Sequence, residues 1–523
     1  MTKDGIGDLT LSGNNAAFTG PLSVVFGTLF LNGAYGGSVS VSDGAHIVYN
    51  GPISGDLNIT NGTITTLDVN TLFVGGNYTQ APGTIYIANV NSLGQSSLIN
   101  MAGTASIAGS VQVDASRGVL PHAIYRILHA DGGVSGTYGL INPYPLLHVL
   151  ITYDANNVYL SFATNFVDGA MTPNEKKVAA QLDQFIPATT DEADVINNLL
   201  LLPPSQLSEA LNVLSGEQYS NLILTNLYDS NRFNRQIFNS IRTNLNPCSR
   251  CVGIQNWGSG GGGQAFQKGN QANPGFNLQT FDFSTGMHAC LGESWLLGGA
   301  LAYNSDTAYS TIHANSLLQT GTAAVYSSFQ KDWGYLVLDL MGARTWTNVR
   351  RHIQFGEIDR TARSSPGLAY GRFDLQGGAD LGNCDYNLKP YVAGSAEVYH
   401  QQAVQEHGAG SLNLSTQSAT KWLGSTQLGL HTSVTAKQSL SIDVDLAWQH
   451  YYGNLRVDET VRFQDFGTPF LIQGPKRGHD GLLAALYFIT PEVNAWSIYL
   501  GAEGEVWRHW YSYEVNGGFG YRW

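Results

Sequence analysis

Tyr511–Trp523 reads YSYEVNGGFGYRW, and these thirteen residues decide the fold. Tyr511, Tyr513, Val515, Phe519, Tyr521 and Trp523 fall on one face, with Ser512, Glu514, Asn516, Gly518, Gly520 and Arg522 on the other. A period of two is that of a strand. A soluble sandwich turns its apolar face inward. Here the polar face holds a carboxylate and an arginine while rings gather near the strand end, as in the aromatic girdle of a membrane barrel. The alternation recurs upstream, where Leu440, Ile442, Val444, Leu446 and Trp448 interleave with Ser441, Asp443, Asp445, Ala447 and Gln449. Trp496, Ile498, Leu500 and Val506 likewise interleave with Ser497, Gly501, Glu503 and Glu505.

From Val252 onward about twelve such segments of ten or more residues succeed one another. That exceeds the ~5–6 residues of ordinary strands and suits a tilted transmembrane barrel. Connections after even-numbered strands are tight, around Gly292–Ser294, Lys331–Asp332, Gly382–Asp385, Ala436–Lys437 and Pro491–Asn494. Those after odd-numbered strands are read as long: Gly258–Gly275, Ser305–Asn315, Asn348–Pro366, His400–Thr420 and Gly453–Arg477. Short turns alternating with long loops is the outer-membrane pattern, and it puts Val252 and Trp523 on the periplasmic side. Gly258–Gly263 (GSGGGG) formally contains GxGxxG, but it opens no helix and reads as an extracellular loop.

The N-terminal third has another texture. Residues 1–165 carry three basic residues (Lys3, Arg117, Arg126) and eight aspartates, and the first glutamate is Glu175. Short β-rich runs closed by Gly or Asn fill it, among them Asp8–Gly13, Gly27–Gly33, Gly37–Ser42, Gly62–Asn70 and Ser106–Val113. Recurring at about ten to twenty residues, they predict stacked coils of a parallel β-helix whose Asn and Thr serve turns and ladders. Residues 166–250 switch to helical patterning. Thr172, Pro173 and Glu175 form a capping signature for a helix to about Phe185, and Pro187, Pro203 and Pro204 punctuate the chain beyond it. Ser215 with Gln218 reads as a second box opening a continuous helix over 215–245. That helix bears Asn221, Asn226, Asn231, Asn234, Asn239, Arg232, Arg235 and Arg242. Such polarity is prohibitive against lipid and suitable in a wet lumen.

Composition narrows the function classes. With 26 Lys plus Arg against 39 Asp plus Glu, the net charge is −13, and only 12% of residues are charged. An acidic chain without a basic cluster is no nucleic-acid binder. Hydrophobic residues make up 43%, which argues against disorder. No apolar run is long enough for a spanning helix. MTKDGIGDLTLSGNN has no apolar core, so no signal peptide is expected, and for a protein outside the cytoplasm this predicts a fragment or truncated reading frame. HExxH, P-loop and GxSxG are absent, the histidines are scattered, and no catalytic residue, cofactor or metal is expected. Cys248–Cys251 is a single CxxC, open to a disulfide in an oxidising periplasm or to unpaired thiols.

These features together resemble an autotransporter of the type V secretion family of Gram-negative bacteria. GNYTQ at Gly76–Gln80, GTASIAG at Gly103–Gly109, YRILHA at Tyr125–Ala130 and GVSGTY at Gly133–Tyr138 look like the C-terminal, autochaperone-like end of a β-helical passenger. LNVLSGEQY at Leu211–Tyr219 is similar to the family's pre-barrel segment, and FGTPFLIQG at Phe466–Gly474 with GHDG at Gly478–Gly481 to its late-barrel region. The resemblance implies an all-β chain with a helical linker, in three parts: a passenger-end β-helix over 1–165, a linker over 166–250 with pore helix 215–245, and a barrel of about twelve strands over 251–523. It implies an outer-membrane translocator that exports and displays its own passenger, adhesin-like, with a surface-anchored enzyme carried upstream as the alternative. Phe519, Tyr521 and Trp523 match the signal read by the barrel-assembly machinery. Periplasmic chaperones, outer-membrane lipid with its lipopolysaccharide, and host surface ligands are the other implied partners. Some members cleave at an Asn–Asn pair in the lumen helix. The only such pair in the helical region here, Asn197–Asn198, lies outside it, which predicts an uncleaved passenger. Arg232, Arg235 and Arg242, with Asn231 and Asn234 beside them, are the candidate pore-helix residues. They can pair with Asp443, Asp445, Glu503 and Glu505 or simply meet lumen water. The loop carrying Arg350, Arg351, Arg360 and Arg363 can touch lipopolysaccharide phosphates or stay solvated.

Overall fold

The computed structural model describes residues 1–242, 252–271, 273–310, 313–331, 333–383, 385–436 and 440–523. It divides into two compact units. One comprises Met1–Ala170, Ala179–Ser208 and Phe355–Ile358; the other comprises Met171–Val178, Glu209–Gln354 and Asp359–Trp523. The stretch expected as a separate linker is shared between them.

The first unit is a parallel β-helix. One interior column runs through Leu22, Val39, Leu57, Tyr78, Ala105 and Val134, each paired in parallel with the next. Successive coils therefore advance by 17, 18, 21, 27 and 29 residues, and this lengthening is why no fixed repeat is legible. The first five members of that column are fully buried, so each coil covers the apolar face of the one before. An antiparallel hairpin of Leu147–Tyr153 and Asn157–Thr164 ends the third sheet of the stack.

After a one-turn helix at Phe166–Gly169 come four longer ones: α1 (Pro173–Asp183), α2 (Thr190–Leu200), α3 (Pro204–Leu214) and α4 (Leu222–Arg242). At α1 the Thr172 hydroxyl accepts from the Glu175 amide at 3.2 Å, as the sequence suggests. A complete capping box at α2, Thr189 with Glu192, escaped the sequence reading. Pro204 opens a helix rather than interrupting one, since a proline at the first helical position loses no hydrogen bond. The box expected at Ser215 and Gln218 does not form. Gln218 finds no partner for its amide, Gly216 takes a left-handed φ of 75°, and a 3-10 turn at Glu217–Asn221 precedes α4. A Cβ at Gly216 would stand 2.8 Å from Leu414 Cδ1, so the bend needs glycine. The expected unbroken helix is thus a turn plus 21 residues of α-helix, about 32 Å long. The end expected at 245, with Cys248 and Cys251, lies outside the described residues.

The second unit contains a closed antiparallel barrel of twelve strands: β1 (Ile254–Lys268), β2 (Gly275–Leu291), β3 (Trp295–Ser310), β4 (Ala314–Lys331), β5 (Gly334–Phe355), β6 (Leu368–Ala379), β7 (Tyr386–Gln401), β8 (Ala419–Ala436), β9 (Leu440–Tyr452), β10 (Asp480–Ile489), β11 (Trp496–Trp507) and β12 (Trp510–Arg522). Each pairs with its neighbour, and β12 closes on β1 over Gln255–Gln267. Leu482, Ile498, Leu500 and Val515 face outward and are exposed, while Asp282, Glu503, Glu505 and Glu514 face inward and are buried. This inversion of the soluble pattern is what lipid outside and a polar lumen inside require.

Two expectations are overturned here. Gly258–Gly263 is not a loop but the middle of β1, hydrogen-bonded to β2 and β12. A Cβ at Gly263 would lie 2.7 Å from Glu514 Cβ, so the glycines let the seam with β12 close tightly. Nor are all the outer connections long. β1 runs to Lys268, β3 to Ser310 and β5 to Phe355, turning most of three expected loops into strand. Gly, Ser, Thr and Asn look like loop residues, yet in the outer part of a barrel wall they are merely polar strand.

The two longest outer connections, 402–418 and 453–479, build a sheet of their own from Leu414–Thr416, Glu459–Phe463 and Phe470–Ile472. Leu412, Leu414, Val461, Phe463 and Ile472 are wholly buried in it, and Phe463 stacks on Phe466 at 4.5 Å.

Candidate functional site

α4 occupies the barrel lumen and is held to the wall at three levels. At the loop end, the preceding turn carries Tyr219, whose hydroxyl donates to Glu406 at 2.7 Å and lies 2.8 Å from Ser364 Oγ. Arg351, on β5, grips the same carboxylate through Nε at 3.1 Å and Nη2 at 2.5 Å and also donates to the Val213 and Leu412 carbonyls. Both side chains of that pair are fully buried. Nearby, Asn174 Nδ2 donates to Glu217 at 2.8 Å and to the Gln473 carbonyl at 2.9 Å, while the Gln473 amide donates back to Asn174 Oδ1. Burial, with Glu175 adding to it, pushes the Glu217 carboxyl up to about 8.

The middle level holds most of the charge. Arg232 Nε donates to Glu514 at 2.5 Å and Nη2 to Asp282, with Asp229 and Asp306 at 3.9 and 4.0 Å. Arg235 stands 2.6 Å from Glu503, 3.8 Å from Glu505 and 3.9 Å from Glu514. Six carboxylates therefore surround two guanidiniums. Asn231 Oδ1 accepts from Arg372 at 2.6 Å and from Tyr451 at 3.0 Å, and Asn234 donates to Asp339 at 3.0 Å. Arg372 is itself fixed by Asp374 at 2.6 Å and Glu397 at 3.4 Å. A buried pair is stabilising only when its geometry is good and its remaining hydrogen bonds are met. Arg232 has close contacts to Glu514 and Asp282, but its Nη1 and both Asp306 oxygens have no hydrogen-bond partner among the described residues.

At the turn end, Arg242 meets Asp445 at 2.5 Å and lies over the Tyr391 ring, while Asn239 donates to Tyr487. Here the packing loosens. A cavity of about 280 Å³ opens beside Arg242, lined by Lys389, His431, Asp443 and Arg522. Asp443 faces His431 at 3.5 Å rather than a helix arginine.

Of the residues singled out from sequence, Arg235 thus reaches Glu503 and Glu505 and Arg242 reaches Asp445, whereas Arg232 meets Glu514 and Asp282 instead of an expected partner; Asn231 and Asn234 also face the wall. Sequence reasoning passed over Asp282, Asp306, Asp339, Arg372 and the Arg351–Glu406 pair. The signal for Asp282 was present, because it sits between outward Phe281 and Phe283. Arg351 and Glu406 carried none, since each lay in a stretch read as loop. On β12, Phe519 and Tyr521 pack on Trp496 at 5.6 and 4.7 Å, and Trp523 is exposed beside Tyr521. Among the described residues no group of three or more His, Cys, Asp or Glu is arranged to hold a metal. What this arrangement can do is hold a polar helix across an otherwise open lumen.

The Autotransporter beta-domain family model matches residues 256–503, from β1 into β11. Two curated relatives, each named "Extracellular serine protease" of Serratia marcescens, are 22% identical over the whole of this chain and 56% of their own length. The chain thus spans little more than half of those relatives. Among solved structures, the translocator domain of the autotransporter NalP from Neisseria meningitidis is 15% identical, covering 58% of this chain and 99% of its own with a TM-score of 0.48. The match takes in nearly the whole barrel: residues 256–503 are an autotransporter beta-domain, a translocator barrel of the bacterial outer membrane.

Proposed function

We propose that the barrel exports the chain's own N-terminal segment and that α4, the last part to enter, then stays as the plug. The observation that carries this reading is the three-level grip on α4, in which Arg232, Arg235 and Arg242 each meet a wall carboxylate. The exported chain crosses unfolded, and β-helix coils that stack outside cannot re-enter the lumen, which gives transport its direction. Deletion of 215–245 tests the plug in planar bilayers. A large rise in single-channel conductance is expected, and an unchanged small conductance refutes it. β12, with Phe519, Tyr521 and Trp523 at its end, is the segment we assign to the barrel-assembly machinery, with periplasmic chaperones as escorts.

For the displayed part we infer an adhesin-like role with no cleavage from the barrel; recovery of a free passenger cut within α4 would refute the second point. A second reading, a surface-anchored enzyme, is favoured by the name of the two relatives. Genomic sequence encoding a serine-hydrolase domain ahead of Met1 would decide for the enzyme, and further β-helical repeats for the adhesin.

A further inference from the structure

Along β5 the outward face reads Leu336, Leu338, Leu340, Gly342, Arg344, Trp346, Asn348 and Arg350. Ten residues separate Gly334 from Arg344; at ~3.3 Å each and a tilt of ~40° they climb about 25 Å, the height of the apolar band of such barrels. Arg344 therefore stands at the outer edge of the hydrocarbon, just below the girdle residue Trp346, 59% exposed. Arg350 is six residues further on, about 15 Å higher by the same rise. Arg363 is exposed on the strand Ile358–Ser364 that pairs with β5 beyond the barrel proper. Across the wall, Arg344 is in register with Ala369 of β6, which faces exposed His400 of β7, which faces Thr420 beside the exposed Trp422 of β8.

These arginines differ from the others in the segment. Arg351 is committed to Glu406, and Arg360 donates to the Ala409 carbonyl at 3.0 Å. Arg344, Arg350 and Arg363 have no carboxylate within salt-bridge distance among the described residues, and the nearby Asp359 faces His352 at 3.8 Å. The outward faces of β11 and β12 themselves carry only Gly, Ala, apolar and aromatic residues. Guanidiniums at an interface, with rings beside them, favour phosphate, which they can bind bidentately.

We propose that the outward face of β5, its paired strand and β7 binds a phosphorylated glycolipid of the outer leaflet. Two heights of charge select this occupant. An ordinary phospholipid offers one phosphate at the hydrocarbon edge, within reach of Arg344, and nothing some 15 Å higher for Arg350 and Arg363. A glycolipid phosphorylated on both its anchor and its sugars spans both.

The test is native mass spectrometry of the full chain in detergent with three probes: a lipopolysaccharide with phosphorylated inner sugars, its bisphosphorylated anchor alone, and the dephosphorylated anchor. Heat-modifiable mobility confirms that each sample is folded. Wild type should retain the first best and the third at least tenfold less than the second. Arg344→Gln should lower retention of both phosphorylated probes, and R350Q/R363Q should erase only the advantage of the first. Equal retention of the dephosphorylated anchor by wild type overturns the proposal without reference to any variant, and so does a folded triple variant that binds like wild type.

Discussion

Replacement of Arg232 by alanine is the sharpest perturbation of the plug. Arg232 is 1% exposed, 2.5 Å from Glu514 and hydrogen-bonded to Asp282, with Asp229 and Asp306 within 4.0 Å. Its removal leaves four buried carboxylates without their shared cation. Arg235 helps only weakly, because it lies 3.9 Å from Glu514 and is engaged by Glu503 at 2.6 Å. Loss of one partner of a buried pair costs about 3–5 kcal/mol, and at 1.4 kcal/mol per tenfold the balance between seated and displaced helix shifts by roughly 10²–10⁴. Openings of the full chain in planar bilayers should become more frequent by that factor. R232A/E514Q should recover part of the loss, since a neutral amide needs no counter-ion. An opening frequency for R232A within threefold of wild type would show that the ion pairs do not hold the helix; equal leakiness of R232A and R232A/E514Q would show that unpaired charge is not the cause.

Glu217 gives the outer end a pH dependence. Its carboxyl is raised to about 8 in the folded chain from an ordinary value near 4.5, so the folded state holds a proton that the unfolded state releases between those values. Packing around Glu217 should therefore be firmest below about pH 4.5, weaken as pH climbs to about 8, and change little beyond. Hydrogen exchange of 209–221 across pH 5–9 should show this trend, and Glu217→Gln should flatten it; a wild type more protected at pH 9 than at pH 5 has the opposite sign. Gly263→Val brings a Cβ to 2.7 Å from Glu514 Cβ and 2.3 Å from the Tyr513 carbonyl, at the seam where β1 meets β12. Backbone cannot yield cheaply there, so the variant should lose the heat-modifiable shift of a closed barrel, whereas Gly342→Ala, whose added Cβ would meet nothing nearer than the Tyr370 carbonyl oxygen at 3.9 Å, should keep it.

How much of this was legible in advance depended on whether a residue's environment is set by its neighbours in sequence. β9, β11 and β12 are lipid on one side and lumen on the other along their length, so alternation alone places Asp445, Glu503 and Glu505 inward. Strand number and the loop lengths after β7 and β9 came out the same way. Arg232, Arg235 and Arg242 stood out because three cations on a helix near lipid need somewhere polar to go. The signal failed where composition and environment part company. Six residues of Gly and Ser in β1 are strand because the side chains of β12 need the room. Arg351 is read as one of four loop cations, yet it is buried while Arg350 beside it is not, since adjacent positions on a strand face opposite ways and β5 continues past the membrane.

The outer seal has a further consequence under the proposed export. The sheet built from the two longest outer connections contacts residues that belong to the transported chain: Gly216 lies against Leu414 and Val461, and Tyr219 completes the Arg351–Glu406 cluster. Those residues reach the outer mouth only when everything N-terminal to them has already passed. Glu406 then gains a hydroxyl donor that no earlier part of the chain supplies at that place. The two ends of the grip also differ: Arg351 and Glu406 at the outer end are 0% exposed, whereas Arg242 at the periplasmic end is 14% exposed and lines a cavity with His431 and Lys389. A plug that is dry outside and wet inside closes the cell surface firmly while leaving its periplasmic end in contact with water. The seal is thus built to form last, and from the chain that has just gone through.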